Sequence, residues 1–157
     1  MEDERPRKPA AAIFDMDGTL CDVSSIRYHV DRRDPRFSGR KRFDRFHGQS
    51  HLCPPNRQAL RLYEKYRVDH AVLIVTARKA MWSMHTLLWL RDNHVEHDAL
   101  YMRADNDSRP DYEVKRDILT EIRKDYTVMV AVDDNPAVLR LWKEEGIKTH
   151  RIPGWKD

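Results

Sequence analysis

Short apolar runs alternate with helical patterns along this chain. The runs occupy residues 11–14, 71–75, 99–102 and 128–132, with a more polar short run at 148–152. Helical spacing or helix-start residues mark the segments 54–66, 81–90, 111–126 and 136–146. Strands that are apolar on both faces and that alternate with helices are typical of a parallel sheet covered on both sides. We therefore expect an α/β fold.

The composition predicts one globular unit with a very polar surface. Of the 157 residues, 40% are hydrophobic and 35% are charged. The formal net charge of +3 neither requires nor excludes a nucleic-acid partner. The length is that of one ordinary domain, which we place at residues 10–157 after a polar lead-in at 1–9.

The cysteine content and the hydropathy predict the cellular setting. Cys21 and Cys53 are too few for a disulfide framework, and they favour a reduced compartment. No apolar run approaches the length of a membrane span, and the first nine residues lack a hydrophobic signal region. We therefore expect a cytoplasmic protein with no membrane partner.

Polar side chains follow three of the predicted strands. Asp15 and Asp17 follow the first strand, Thr76–Arg78 follow the second, and Asp133–Asn135 follow the fourth. Gly18 permits a sharp turn after the first pair. The carboxyl ends of parallel strands share one edge of the sheet, where ligands bind. Clustered carboxylates there suit a hard cation, which predicts a magnesium site.

These positions resemble the four motifs of the haloacid-dehalogenase-like (HAD) phosphatases. The matching residues are "DMDGT" at 15–19, Thr76, Lys115 and the aspartate pair at 133–134, and the resemblance extends from about residue 10 to 152. It implies a Rossmann-like sheet of five parallel strands with helices on both faces and a small or minimal cap insertion between the first two motifs. It also implies a magnesium-dependent phosphoric monoester hydrolase.

A closer resemblance involves the third motif. The segment "DSRPDYEVK" at 107–115 is similar to the 3′-phosphatase domain of phage-type polynucleotide kinase-phosphatases, and so is "TAR" at 76–78. The phosphate-binding loop GxxxxGK[ST] of a kinase half is absent. The resemblance implies removal of the terminal 3′-phosphate from DNA or RNA ends during repair, with a separately encoded kinase or ligase as a candidate partner.

The same resemblance assigns roles to the aspartates. Asp15 is the expected nucleophile, which forms an aspartyl-phosphate. Asp17 is expected to protonate the leaving oxygen, to activate water afterwards and to bind the metal through its backbone carbonyl. Asp134 is the expected direct metal ligand, whereas Asp133 is expected to act largely through water.

The remaining roles concern phosphate binding and support. Thr76 is expected to hydrogen-bond a phosphate oxygen, and Lys115 to offset negative charge at Asp15. Asp111 stands four residues before Lys115, and helical spacing predicts that it holds that lysine. The other expected contributors are Arg78 as a catalytic residue and Gly18, Thr19 and Arg109 as supporting residues.

A basic segment separates the first two motifs, and we treat 27–53 as an insertion. Within 27–45 eight basic residues face three acidic ones, a local charge of +5, and Tyr28, Phe37 and Phe43 are interleaved, with Phe46 just beyond. One interpretation is a path for a single strand, with bases stacking on aromatic rings. The other is a solvated loop that its phenylalanines anchor. In the first interpretation the substrate-binding residues are Arg27, Arg40, Lys41 and Arg42, and Arg27 lies near an active-site arginine of the resembled domain.

The sequence is also compatible with other functions and with a different metal site. A 5′- or 3′-nucleotidase that acts on mononucleotides, or a non-catalytic nucleic-acid-binding module, would use the same scaffold. A zinc site is a further possibility at His47, His51 and Cys53. The apolar stripe of the helix after "TAR" is interpreted as core packing; it comprises Met81, Trp82, Met84, Leu88 and Trp89.

Overall fold

The computed structural model describes residues 7–154, which form a five-stranded parallel sheet with the strand order β3-β2-β1-β4-β5. The strands are β1 (Ala10–Phe14), β2 (Ala71–Lys79), β3 (Ala99–Arg103), β4 (Thr127–Asp133) and β5 (Lys148–Arg151). Every neighbouring pair is parallel. The predicted α/β fold with a central five-stranded parallel sheet is thus confirmed.

Five α-helices occur in the described part of the chain. They are α1 (Phe43–Ser50), α2 (Arg57–Tyr66), α3 (Ser83–Asp92), α4 (Asp111–Ile122) and α5 (Pro136–Glu144). Asparagine side chains cap α2 and α5, because Asn56 and Asn135 each accept a hydrogen bond from a backbone N–H of the first turn at 3.0 Å. Helix α1 was not predicted, and it lies inside the basic segment.

Two hydrophobic clusters cover the two faces of the sheet. Successive strand residues point to opposite faces, so Phe14 packs in one cluster with Trp89, whereas Ile13 packs in the other with Trp142. Because both faces of the strands are buried, polar side chains can reach the solvent mainly at the strand ends. This arrangement places the functional residues at the carboxyl edge of the sheet.

Strand β2 and the segment after it depart from the prediction. The strand continues through Thr76–Arg78 to Lys79, with a register shift against β3 between Val75 and Lys79. A 3₁₀ turn follows at Ala80–Trp82, and α3 begins only at Ser83. The α-helical spacing assumed for the apolar stripe is therefore broken.

The interpretation of that stripe as core packing is consequently wrong for Met81 and Met84, and it holds only in part for Trp82, which is half-buried. Trp89 is fully buried, but Met81 is 62% exposed and Met84 is 63% exposed. Both methionines lie at or near the 3₁₀ turn, where the chain winds differently from an α-helix. The apolar face of this region is divided between the core and the surface.

Two further expectations concern the start of the chain and membranes. Residues 1–6 of the predicted lead-in lie outside the described residues, and Pro9 accepts a backbone hydrogen bond from Thr127 at 2.9 Å. Between residues 7 and 154, no helix combines the length and the apolar character needed to cross a membrane.

Candidate active site

Three buried carboxylates meet at the carboxyl edge of the sheet. Asp15 follows β1, Asp133 ends β4, and Asp134 follows it. Each offers an oxygen within 4.8 Å of an oxygen of the others, and the three residues are at most 7% exposed. The Thr19 hydroxyl lies 3.0 Å from Asp15 Oδ2 and 3.3 Å from Asp134 Oδ1, so it links two of the carboxylates. Gly18 makes the intervening turn with a φ of 81°.

Lys115 of α4 supplies the positive charge of this group. Its Nζ donates hydrogen bonds to Asp15 Oδ1 at 3.0 Å and to Asp133 Oδ2 at 2.7 Å. Burial disfavours its charge, but these two carboxylates outweigh that effect and raise the pKa of Lys115 above its ordinary value. The lysine therefore stays protonated beside the expected nucleophile.

The prediction that Asp111 holds Lys115 is wrong. Asp111 Oδ1 accepts a hydrogen bond from Arg103 of β3 at 2.8 Å. Within residues 7–154, the carboxylates in ion-pair contact with Lys115 are those of Asp15 and Asp133. The buried ammonium points into the acidic group, whereas Asp111 lies at the more exposed start of α4, where Arg103 reaches it.

One positive charge does not balance three buried carboxylates. Burial raises the pKa of Asp15 well above its ordinary value, and the charges of Asp133 and Asp134 add to this effect. Burial and the Asp133 charge raise the pKa of Asp134 to about 7. An additional cation at this position would remove the imbalance.

The oxygen atoms of this group fit a divalent metal ion such as magnesium. Asp134 Oδ2 is buried and has no hydrogen-bond partner among the residues of the described part. Both oxygens of Asp133 are already engaged, with Lys115 and with the backbone N–H groups of Asp134 and Asn135. Hard divalent cations prefer such oxygen ligands, and the unpartnered atom suits a direct bond to one. The expected division between Asp134 and Asp133 stays a prediction that this geometry favours.

Gly154 closes one side of the acidic group and was not predicted as a site residue. A Cβ atom at this position would lie 2.5 Å from Asp134 Oδ2 and 2.8 Å from the carbonyl oxygen of Gly18. Only a residue without a side chain fits there unless the aspartate moves. No local sequence signal could have shown this, because the contact joins the end of the described chain to two distant motifs.

The second expected catalytic aspartate lies apart from the other three. The buried Arg78 pairs with both oxygens of Asp17, and its Nε lies 2.9 Å from Oδ2. Its Nη1 donates a hydrogen bond to Thr86 Oγ1 at 3.0 Å. Burial favours the neutral acid, but the Arg78 charge and hydrogen bonds outweigh it and lower the pKa of Asp17. The Asp17 side chain is thus not brought into the acidic group, and metal binding through its backbone carbonyl stays a prediction.

The site opens into a cavity of about 790 Å³. Asp15, Asp17, Thr76 and Lys115 line it. The Thr76 hydroxyl accepts the Arg78 N–H at 3.1 Å, which leaves its own proton available for a ligand in the cavity. Further cationic side chains line the walls, namely Arg32, Arg33, Lys41, Lys79, Arg103 and Arg109.

Only one of the four predicted substrate-binding residues reaches this cavity. Lys41 lines it, whereas Arg27, Arg40 and Arg42 do not. Arg27 instead lies 3.8 Å from Asp31, one helical turn away. Arg103, which the prediction missed, stands at the carboxyl end of β3, so the rule used for the other strand ends would have found it.

The zinc site considered for the basic segment is not assembled in the described part of the chain. Among the described residues, His47, His51 and Cys53 do not bring ligand atoms together, and the acidic group is what the structure assembles. His47 lines the cavity with Nδ1 3.9 Å from Asp17 Oδ2. Its burial lowers the pKa of His47 to about 4, so the ring is neutral at neutral pH.

The comparisons with known proteins agree with this site. A family model of the phosphatase domain of polynucleotide kinase PNKP matches residues 9–153. Chains from two structures, of a Pnkp1/Rnl/Hen1 RNA repair complex and of a Pnkp1/Rnl/Hen1 complex, are each 23% identical to this one, with TM-scores of 0.74 and 0.75. The matches cover 96% of this chain but 44% and 48% of those chains, so this chain spans less than half of their length.

A third structure has the same fold with lower sequence identity. It is a class C acid phosphatase from Bacillus anthracis with tungstate bound, 11% identical, with a TM-score of 0.68 over 95% of this chain and 68% of that one. A search of curated proteins gave no match. The family match extends over nearly the whole chain and includes all the residues of the acidic group. Members of the family of the PNKP phosphatase domain are HAD-type phosphatases and thus phosphoric monoester hydrolases, and this chain belongs to that family.

Proposed function

We propose that this protein is a magnesium-dependent polynucleotide 3′-phosphatase that acts through an aspartyl-phosphate at Asp15. The observation that carries the proposal is the pairing of Asp15 with Lys115 at 3.0 Å, beside the unpartnered Asp134 Oδ2 and beneath a cationic cavity. A carboxylate held next to a fixed ammonium can attack a phosphate, because the ammonium offsets the repulsion between the two negative charges. The family to which the chain belongs supports the same chemistry.

In the first half-reaction, a carboxylate oxygen of Asp15 forms a bond to phosphorus as the bond from phosphorus to the 3′-oxygen breaks. Asp17 donates a proton to that departing oxygen, and Thr76 and Lys115 stabilise the transferring group. In the second half-reaction, water attacks phosphorus as the bond from phosphorus to the Asp15 oxygen breaks. Asp17 takes the proton of that water, inorganic phosphate leaves, and the Asp15 carboxylate is regenerated. Asp15 and Asp134 would hold the divalent ion, which when bound supplies positive charge against the phosphate oxygens.

Asp17 needs a proton to act as the acid, although the Arg78 pair lowers its pKa in the free protein. A phosphate dianion that enters the cavity brings negative charge close to Asp17 and therefore raises its pKa. The same phosphate also offers Arg78 a second anion to bind in place of Asp17. Substrate arrival thus favours protonation of Asp17 at the moment when an acid is required.

The cavity supports a substrate larger than inorganic phosphate. Its 790 Å³ is in the range that encloses a ligand of drug size, and its walls carry lysines and arginines well beyond Asp15. Of the two similar structures, one is of a Pnkp1/Rnl/Hen1 RNA repair complex and the other is of a Pnkp1/Rnl/Hen1 complex. We extend this to RNA ends as substrate and to a separately encoded ligase or kinase as partner; DNA ends offer the same phosphate.

A substrate series tests this function. We expect kcat/KM for a 3′-phosphorylated oligonucleotide to exceed that for a 3′-mononucleotide by about tenfold or more, since remote phosphate contacts each add binding energy. The proposed specificity for the 3′ end also requires that it exceed kcat/KM for the 5′-phosphorylated twin. Phosphate release from matched RNA and DNA versions gives the preferred sugar. Equal or faster hydrolysis of the mononucleotide would instead establish a nucleotidase.

Neighbouring residues of the basic segment provide a matched test of the strand path. Lys41→Glu is expected to raise KM for the oligonucleotide about tenfold at low salt, because Lys41 lines the cavity, whereas Arg40→Glu is expected to change it much less. Losing one phosphate contact should also reduce the slope of log affinity against log salt by about 0.7. Equal effects of the two substitutions would show a general charge effect in place of a defined path.

A further inference from the structure

Three aromatic rings form a continuous wall on one side of the cavity. The ring of His47 lies between those of Phe43, with centroids 6.3 Å apart and planes 22° from parallel, and Trp82, at 5.8 Å and 39°. All three residues line the cavity. We refer to Phe43, His47 and Trp82 as the aromatic wall. Two of its members belong to α1, the helix that the sequence did not predict.

The aromatic wall is not simply part of the core. Phe46 anchors α1, because it is 2% exposed and packs edge-on against His47 at 5.1 Å. Phe43, on the same helix, is 50% exposed, so its ring remains largely available to a ligand. His47 Nδ1 is buried without a hydrogen-bond partner in the described chain. The half-exposed apolar ring of Phe43 beside a cavity favours a ligand contact, whereas the buried nitrogen of His47 is not itself accessible to a ligand.

The position of the wall relative to the reaction identifies the part of the substrate that it meets. His47 Nδ1 lies 3.9 Å from Asp17 Oδ2, and Asp17 is the proposed acid for the departing 3′-oxygen. That oxygen is bonded to the sugar of the terminal nucleotide. The terminal nucleoside must therefore lie next to His47, within reach of the other two rings.

The charge beside the wall fits the same ligand. Lys41 Nζ lies 5.9 Å from the centroid of the Phe43 ring, so a cation stands next to an exposed aromatic face. Proteins that bind single-stranded nucleic acid combine such rings, on which bases stack, with cations that contact the backbone. Lys41 also lines the cavity, which places both kinds of contact on one path.

We infer that the aromatic wall binds the nucleobase of the 3′-terminal nucleotide by stacking. The inference rests on the proposed function, since it needs a substrate whose leaving group carries a base. Phe43 and Trp82 would then contribute to substrate specificity, because they favour the phosphate of a nucleotide end over other phosphate esters. Because stacking accepts every base, the wall selects for the presence of a base and not for its sequence.

The test compares two 3′-phosphorylated oligonucleotides that differ only at the terminal residue, one with a normal base and one with an abasic sugar. We expect the wild-type protein to hydrolyse the base-bearing end with a kcat/KM about tenfold higher, the effect of one base–aromatic stack. Phe43→Ala and Trp82→Ala should each reduce this ratio toward one. Trp82→Phe, which keeps an aromatic ring, should restore much of it.

Met84→Ala is the matched control. Met84 is 63% exposed on α3 near Trp82 but does not line the cavity, so its substitution should leave the ratio unchanged. Phe43→Ala keeps the test valid if Trp82→Ala unfolds, since truncating a half-exposed ring should leave the melting temperature nearly unchanged. A wild-type ratio of one, or equal losses on both oligonucleotides in the variants, would overturn the role of the wall.

A small aryl phosphate separates failure of this inference from failure of the proposed function. If the wild-type protein hydrolyses the aryl phosphate but neither oligonucleotide, the polynucleotide substrate is wrong and the wall loses its ligand with it. If it hydrolyses both oligonucleotides with equal kcat/KM, the 3′-phosphatase function holds and the inference about the wall alone is rejected.

Discussion

Asp15→Asn is expected to lower kcat by about three orders of magnitude or more while leaving the protein folded. The substitution keeps the shape of the side chain but removes the negative charge that makes its oxygen a nucleophile, and losses of this size follow the removal of a covalent nucleophile. Lys115 keeps its second partner, Asp133, at 2.7 Å, so its charge remains paired. Activity should be followed with both an oligonucleotide and a small aryl phosphate, since both require Asp15.

The same substitution should raise the free energy of unfolding of the metal-free protein at neutral pH. Burial and the nearby carboxylates raise the pKa of Asp15 well above its ordinary value of 3.8 in the folded state. A group of this kind binds its proton more tightly when folded, so its ionisation reduces stability as the pH rises above that ordinary value. The neutral amide removes the penalty. We therefore expect a higher melting temperature for Asp15→Asn than for the wild-type protein in excess chelator at pH 7.

The two measurements together separate catalysis from folding. Mass spectrometry of acid-quenched wild-type protein during turnover should show a phosphoryl adduct that Asp15→Asn lacks. A variant that retains activity within about tenfold of the wild type, a barrier change of about 1.4 kcal/mol, would exclude covalent catalysis by Asp15. An inactive variant with a much lower melting temperature would mean that the lost activity reflects unfolding.

The sheet was predictable because its strands are buried on both faces and therefore appear as continuous apolar runs. Helix α1 was not predictable in the same way, since it presents only Phe46 and Ser50 to the interior. Two buried positions, one of them polar, do not produce a helical repeat of apolar residues, so the sequence of α1 cannot be distinguished from that of a loop. Its folding depends on Phe46 entering a core that distant segments build, and no local pattern records that contact.

The acidic group was predictable because topology alone brings the ends of parallel strands together. The partner of Lys115 was mispredicted, because spacing by four residues describes exposed pairs on a helix surface and does not apply to a buried lysine. A buried ammonium must face buried anions, and these came from β1 and β4. Gly154 and His47 likewise act through contacts between segments far apart in the chain, which spacing within one segment cannot indicate.

Magnesium is expected to stabilise the protein as well as to activate it. Three buried carboxylates share a single lysine, and burial together with mutual repulsion raises the pKa values of Asp15 and Asp134. A bound cation removes that penalty only in the folded state. At a concentration 100 times its Kd, it should add about 2.7 kcal/mol to the free energy of unfolding. For a protein of this size that corresponds to a rise of roughly 5–10 °C in Tm.

Asp134→Asn should abolish both effects, whereas Asp44→Asn should abolish neither. Asp134 Oδ2 is the unpartnered oxygen of the acidic group, and Asp44 is an exposed carboxylate on the wall of the same cavity. Thermal unfolding with and without magnesium, and phosphatase assays in chelator followed by added magnesium, should be run on all three proteins. A magnesium-dependent rise in Tm that persists in Asp134→Asn would place the ion elsewhere, and full wild-type turnover in excess chelator would exclude it from the reaction. If Asp44→Asn also lost both effects, the ion would be attracted by the general negative charge of the cavity. Direct binding of the ion by Asp134 therefore requires a difference between the two variants.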